Sequence, residues 1–224
     1  MLSWQFILLG VAAYFLGAVP AAYIIASLSK GIDLRKVGSG NVGAANVATV
    51  ASRWHSVPVL FFDVGKGYLV VWLASVAGFD VFYQIVIGLL AVIGHNWSVF
   101  LGFKGGRGIA TSLGIIMAVS PLLGLLMLAI VAIFLPFKQL ALGVLVAITS
   151  LPFVAWLAPS PLGILDKGGA FIGFLLLFAV VIIRRLTPPR SEISRDTPIG
   201  ELLLYRLLFD RDISNREVWI NRNN

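Results

Sequence analysis

Long stretches of this chain carry no charge. Met1 to Ser29, Tyr68 to Phe79, Ile109 to Phe137 and Gln139 to Leu165 contain no Asp, Glu, Lys or Arg, and Val81 to Phe103 adds only His95. An apolar run of about 18 residues or more is long enough to cross the ~30 Å hydrocarbon layer as a helix. The pattern predicts spans at about 4–28, 57–77, 79–101, 139–157 and 168–186. The run 109–135 is different, because Pro121 follows Ser120 near its middle. Proline breaks or kinks a helix. Two pieces of ~12 residues are each about 18 Å long, short of a full crossing. Two short helices or a re-entrant hairpin are expected, with any non-helical backbone buried in protein. The prediction is an all-α integral membrane protein of about seven transmembrane or half-membrane helices.

Composition points the same way. Of 224 residues, 59% are hydrophobic and 12% charged, about half the charge of a soluble domain. A soluble fold would need most of the chain to be interior, which surface-to-volume scaling forbids at this length. No Lys or Arg precedes the first apolar run, and that run is too long for a signal peptide. There is no cysteine, which excludes disulfides, thiol catalysis and thiolate metal sites. No other metal-ligand cluster is visible, and no cofactor is expected.

The net charge of +7 could suggest nucleic acid, but the basic residues sit in short loops between spans. The positive-inside bias accounts for them. Lys30, Arg35, Lys36 and Arg53, against Asp33, mark a cytoplasmic loop, and Gly78 to Asp80 an outer turn. Lys104 and Arg107 mark a return to the cytoplasm, and the later Arg184, Arg185 and Arg190 are cytoplasmic as well if 109–135 goes in and back. The N-terminus is then outside and the C-terminus inside. Residues 1–186 form the membrane domain and 187–224 a cytoplasmic tail with six Arg and six Asp or Glu. In that tail Thr197 as N-cap and Pro198 at the first helical position predict a short amphipathic helix on the membrane surface.

Three polar clusters could carry chemistry. The first runs Gly38-Ser39-Gly40-Asn41-Val42-Gly43-Ala44-Ala45-Asn46. It matches G-x-G-x-x-G, but no strand precedes it, so the dinucleotide reading fails. Closely spaced glycines still let backbone N–H groups approach an anion, with Ser39 and Asn41 as added donors. An ordinary glycine-rich turn is the plainer reading. The second cluster is Asp63-Val64-Gly65-Lys66-Gly67. Asp63 and Lys66 share a helix face, as a structural ion pair or as part of a site; the spacing is not that of a Walker A loop. The third is Gly94-His95-Asn96, then Phe103-Lys104-Gly105-Gly106-Arg107-Gly108-Ile109-Ala110-Thr111. Two cations, three glycines and a following helix N-terminus suit a phosphate, with Lys104 as a point charge and Arg107 as a planar fork. Anchoring by positive charge alone would not require the glycines. His95 is a candidate base or an interfacial histidine; His55 is read as a loop residue.

Together these elements resemble the bacterial multi-pass glycerol-3-phosphate acyltransferases that use acyl-phosphate as donor. The likeness rests on Gly38-Ser39-Gly40-Asn41 with Gly43-Ala44 and Asn46, Asp63 with Lys66-Gly67, Gly94-His95, and Phe103 to Gly108 with Ala110-Thr111. It implies acyl transfer from acyl-phosphate to glycerol 3-phosphate, in phospholipid synthesis, at the cytoplasmic face of a bacterial cell membrane. The implied catalytic residues are His95, Asp63 and Ser39. The implied binding residues are Gly38, Ser39, Gly40, Asn41, Asn46, Lys66, Lys104, Gly105, Gly106, Arg107 and Gly108. The proton acceptor stays open among His95, Asp63 and a substrate phosphate.

The sequence departs from that pattern in places. Val42 and Ala45 stand where proline and threonine are usual, Thr49 where an arginine is, and Arg107 replaces a lysine. Ala179 and Ile182 stand where the last helix usually carries His and Asn, although Arg185-Leu186 and Glu192 follow. Ala141 lies near the place of a usual serine. A weak or inactive membrane paralogue, or a transporter of a phosphorylated anion, is the alternative. Thioester-dependent acyltransferases need H-x-x-x-x-D, which neither His55 nor His95 provides, and CDP-alcohol phosphotransferases need clustered aspartates.

Overall fold

A computed structural model describes residues 4–221; positions 1–3 and 222–224, at the ends of the two regions expected from sequence, lie outside the described residues. The order is α1 (Trp4–Ala18), α2 (Ala21–Lys30), α3 (Ala44–Val50), α4 (Arg53–Val76), α5 (Val81–Asn96), α6 (Ile109–Val119), α7 (Pro121–Ile133), α8 (Leu140–Leu157), α9 (Lys167–Leu186), α10 (Ile199–Phe209) and α11 (Arg216–Asn221). Among the described residues, five stretches are long and apolar enough to cross a membrane: Trp4–Lys30, Arg53–Val76, Val81–Leu101, Leu140–Leu157 and Lys167–Leu186. The outer surface is apolar, with Trp54 and Leu165 85% and 100% exposed. That is the distribution expected where lipid replaces water as solvent.

Helix α5 is the central post, packed by α1, α4, α6 and α9. Small residues let backbones touch, as in other membrane bundles. Gly17 meets the Ala91 carbonyl and Gly94 the Tyr14 carbonyl, where an added Cβ would overlap backbone. Gly67 and Gly114 do the same between α4 and α6, against Thr111 and Val64. Ile85, Ile87, Ile115, Leu151, Phe174 and Leu177 fill the core between these contacts.

The break expected at Ser120-Pro121 is present. Ser120 Oγ accepts the Leu123 N–H at 3.2 Å, Pro121 opens α7, and the same hydroxyl donates to the Leu162 carbonyl at 2.7 Å. A second break differs from expectation, because the first segment is two helices. Pro20 has no N–H to continue α1, and the Ala21 N–H turns back to the Val19 carbonyl at 3.1 Å. The Gly17 and Ala18 carbonyls are thereby released to side chains. His55 also differs: it lies in the first turn of α4, where its N–H donates to the Ser52 cap.

The tail folds back onto the bundle, with α10 against α8 and α9. Arg185 Nε donates to the Arg206 carbonyl at 2.9 Å, and Arg206 Nε to Asp212 Oδ1 at 2.7 Å. Asp212 Oδ2 accepts the Ser191 N–H at 2.8 Å. The expected Thr197 cap is absent: α10 starts at Ile199, Pro198 holds the N-cap position, and the Thr197 carbonyl instead accepts Arg190. The shift is one residue, and proline's fixed φ suits either place.

Candidate active site

The release of two carbonyls at Pro20 builds the first part of the site. Lys66, buried on α4, places its Nζ 2.7 Å from Asp63 Oδ1, 2.9 Å from His95 Nδ1 and 3.0 Å from the Gly17 carbonyl. A lysine ammonium has three N–H donors and no acceptor; here it meets three acceptors. Ser98 Oγ takes the Ala18 carbonyl at 2.6 Å. Because Lys66 donates to Nδ1, a neutral His95 carries its proton on Nε2. The His95–Asp63 separation of 3.5 Å is too long to compete. His95 therefore presents a donor, and the sequence pattern of a lone histidine beside a loop carried no sign of that orientation.

The Nε2 edge lies against Gly106, where an added Cβ would overlap it and the Val42 carbonyl. This close approach, not anion contact, is what demands glycine there. The Gly105 and Gly106 N–H groups donate to the Asn96 and His95 carbonyls at 3.2 and 3.0 Å. Their own carbonyls accept Arg184 Nη2 and Nε at 2.7 and 2.8 Å. Both amides are thus spent on holding the loop to the end of α5. Gly108, with φ +74°, is the N-cap of α6.

The loop 38–46 is pinned by the buried Asn46. Its Oδ1 accepts the Ser39 N–H at 3.0 Å, and its Nδ2 donates to the Leu34 and Val37 carbonyls, each at 3.2 Å. Gly38 and Gly40 take φ of +56° and +68° to make the turn.

Two cavities meet at Asp63 and His95. A small one of about 10 Å³ is bounded by Pro20, Val42, Ser98, Gly105 and Gly106. The other, about 860 Å³, falls in the size range of ligand pockets. Its polar lining includes Ser39, Asn41, Arg107, Gly108, Ser112 and Arg185; its apolar lining includes Leu113, Ile116, Met127, Leu128, Val131 and Ile148. Arg107 Nη1 donates to the Arg184 carbonyl at 3.1 Å, and its Nε lies 2.9 Å from Asp210 Oδ1. The Ser112 hydroxyl is buried without a hydrogen-bond partner among the described residues.

Of the residues singled out from sequence, Ser39, Asn41, Asp63, His95, Arg107 and Gly108 line this cavity. Gly38, Gly40, Asn46 and Lys66 stand behind them and hold them; Gly105 and Gly106 face only the small cavity. Lys104 is exposed on the neighbouring loop, outside the cavity wall. Ser112, Arg185 and the tail residues Asp210, Arg211 and Arg216 were not anticipated. The pair Arg184-Arg185 at the end of an apolar run was the available signal, but the positive-inside bias alone explained it.

Fold and site together define an integral membrane protein in which a buried Asp–Lys–His cluster borders a cavity lined by cations and apolar side chains. The family model described as glycerol-3-phosphate acyltransferase matches residues 7–194. Glycerol-3-phosphate acyltransferase 5 of a Dehalococcoides mccartyi strain is 41% identical over 222 residues, covering 99% of this chain and 95% of the relative. The enzyme of Geobacter sulfurreducens is 37% identical over 179 residues, 79% of this chain and 88% of its own. The crystal structure of PlsY, an integral membrane glycerol 3-phosphate acyltransferase, in its glycerol 3-phosphate form superposes with a TM-score of 0.74 at 33% identity. It covers 96% of this chain and 98% of that one. The chain belongs to the glycerol-3-phosphate acyltransferase family.

Proposed function

We propose that this protein transfers an acyl group from an acyl-phosphate to the first hydroxyl of glycerol 3-phosphate, giving 1-acylglycerol 3-phosphate and inorganic phosphate. The observation that carries the reading is the mixed lining of the large cavity, in which arginines and hydroxyls join a majority of apolar side chains. A fatty acyl chain suits the apolar lining and two phosphates suit the polar lining.

The acceptor hydroxyl oxygen attacks the acyl carbonyl carbon, and the bond from that carbon to the phosphate oxygen breaks. The leaving phosphate carries away the hydroxyl proton, so charge and atoms balance without an enzyme base. This suits a His95 that donates from Nε2. Its N–H would stabilise the negative charge developing on the carbonyl oxygen, and Arg107, Ser39 and Asn41 the phosphates. Catalysis of this kind is positioning plus electrostatics. Lys104, with no side-chain partner among the described residues, would reach the phosphate from outside on its flexible stem. Asp63 and Lys66 act through His95.

The positive-inside bias puts the polar lining at the cytoplasmic face of a bacterial cell membrane, with the N-terminus outside. In this reading α6 and α7, roughly 17 and 20 Å long, enter and return as a hairpin. Residues 1–186 are the catalytic domain, and 187–224 lie on the cytoplasmic side with α10 at the interface. The test is release of phosphate from palmitoyl-phosphate by purified protein, with and without glycerol 3-phosphate. Acceptor-dependent release, reduced about 10²-fold or more in Ser39→Ala and Arg107→Ala, is the expected result. Binding without turnover would indicate an inactive paralogue, and flux into sealed vesicles a transporter; either overturns the proposal.

A further inference from the structure

The tail takes part in the cavity although the family model stops short of it. That match ends at residue 194, while Phe209, Asp210, Arg211, Arg216 and Trp219 all line the large cavity. The Dehalococcoides relative aligns across 99% of the chain, tail included. The tail is docked on buried bonds: Arg206 holds Asp212 Oδ1 at 2.7 Å and the Leu186 carbonyl at 2.8 Å.

Charge along the lining of the large cavity is unbalanced. The lining includes five cations (Arg107, Lys138, Arg185, Arg211 and Arg216) and two carboxylates, Asp63 and Asp210. Asp63 is already neutralised by Lys66 at 2.7 Å, so Asp210 is the remaining carboxylate facing this excess. It sits 2.9 Å from Arg107 Nε, yet neither that nitrogen nor Asp210 Oδ1 makes a hydrogen bond among the described residues. The two charges touch out of line. An aligned phosphate oxygen would satisfy the guanidinium better, and a dianion would answer more of the surplus charge.

We infer that Asp210 is an internal competitor for substrate phosphate at Arg107, and that the tail carrying it is the cover of the cavity. The inference rests on the acyltransferase reading. In the free enzyme the carboxylate holds Arg107 and the cover is shut. The phosphate of glycerol 3-phosphate takes Arg107 from Asp210, and while Asp212 stays anchored by Arg206 and Ser191 the part beyond it, residues 213–221, is released. Acceptor affinity is then lowered by the fraction of time the carboxylate holds the arginine.

Asp210→Asn is a suitable variant. Asp210 caps α10 with φ +54°, and asparagine tolerates that left-handed conformation as aspartate does, so charge is removed and the cap kept. The chain has no cysteine, so a spin label on Ser214→Cys, at an exposed position, reports the cover alone. In an otherwise wild-type background, glycerol 3-phosphate or inorganic phosphate, but not sodium chloride of equal ionic strength, should mobilise the label. With Asp210→Asn the label should be mobile from the start and insensitive to phosphate. The KM for glycerol 3-phosphate should fall about three- to fivefold, the scale of a partly exposed ion pair. A raised or unchanged KM, or a label indifferent to phosphate in both backgrounds, overturns the inference. Wild-type protein without acceptor-dependent turnover sinks the acyltransferase reading instead, and the label still decides whether phosphate frees the cover.

Discussion

Lys66→Met is the most informative single change in the site. Methionine nearly matches the volume of the lysine stem but has no N–H. Three acceptors lose their donor at once: Asp63 at 2.7 Å, His95 Nδ1 at 2.9 Å and the Gly17 carbonyl at 3.0 Å. The first loss dominates, because a carboxylate 3% exposed is left buried and unpaired. Breaking one partner of a buried pair costs about 3–5 kcal/mol, and an unpaired carbonyl about 1–3 kcal/mol in isolation. The two are not additive, so about 3–6 kcal/mol is expected. At 2–4 °C per kcal/mol for a chain of this size, that is a fall in Tm of roughly 6–24 °C. Thermal unfolding in detergent micelles measures it. The double variant Asp63→Asn with Lys66→Met removes both charges and should recover at least half of the lost stability. Turnover should stay low in both, because His95 has lost the donor that fixes its tautomer. A Lys66→Met protein as stable as wild type, or a double variant no more stable than the single, would refute the account of Lys66 as a satisfied ammonium.

Other expectations follow from the same contacts. Gly106→Ala pushes a Cβ into His95 Nε2 and should lower kcat about 10²-fold with a smaller loss of stability, read from kcat against Tm. Arg184→Lys loses the paired bonds to the Gly105 and Gly106 carbonyls; a loss of about 1.5–3 kcal/mol in thermal unfolding is expected, with a raised KM for palmitoyl-phosphate. Burial by itself would raise the Asp212 pKa, but Arg206 and the Ser191 N–H outweigh it and hold the group below the ordinary carboxylate value. A depressed folded pKa means stability is present above the unfolded value of about 3.9 and is lost as pH falls through the folded one. Cleavage of the tail by pepsin, which works in acid, should therefore accelerate below about pH 4, but not in Asp212→Asn, which is already labile.

Much of the fold was legible because membrane spans announce themselves by charge-free length. Ser120-Pro121 was readable because a hydroxyl cap followed by proline has one local meaning. Pro20, in a run of similar polarity, gave no length cue: 27 residues from Trp4 to Lys30 are enough for one crossing. The site was half legible. Glycine spacing drew attention to both loops that border the cavities, but not to why Gly105 and Gly106 are small. Their amides face the end of α5, and their missing side chains admit the His95 ring. Asn46 looked like an anion donor and is a brace. Asp210 and Arg211 could not be placed from sequence, since nothing in a balanced tail says that it folds back across the bundle.

The three-way grip of Lys66 also has a meaning for how the protein is made. Its partners lie on α4 itself, on α1 and on α5, segments that leave the ribosome at different times. As α4 enters the bilayer its ammonium has Asp63 on the same helix, and α1 is already present to offer Gly17. His95 arrives only with the following hairpin partner. A lone charge in mid-span is costly, so α4 is held near α1 until α5 docks, and His95 is seated by the same event that completes the bundle.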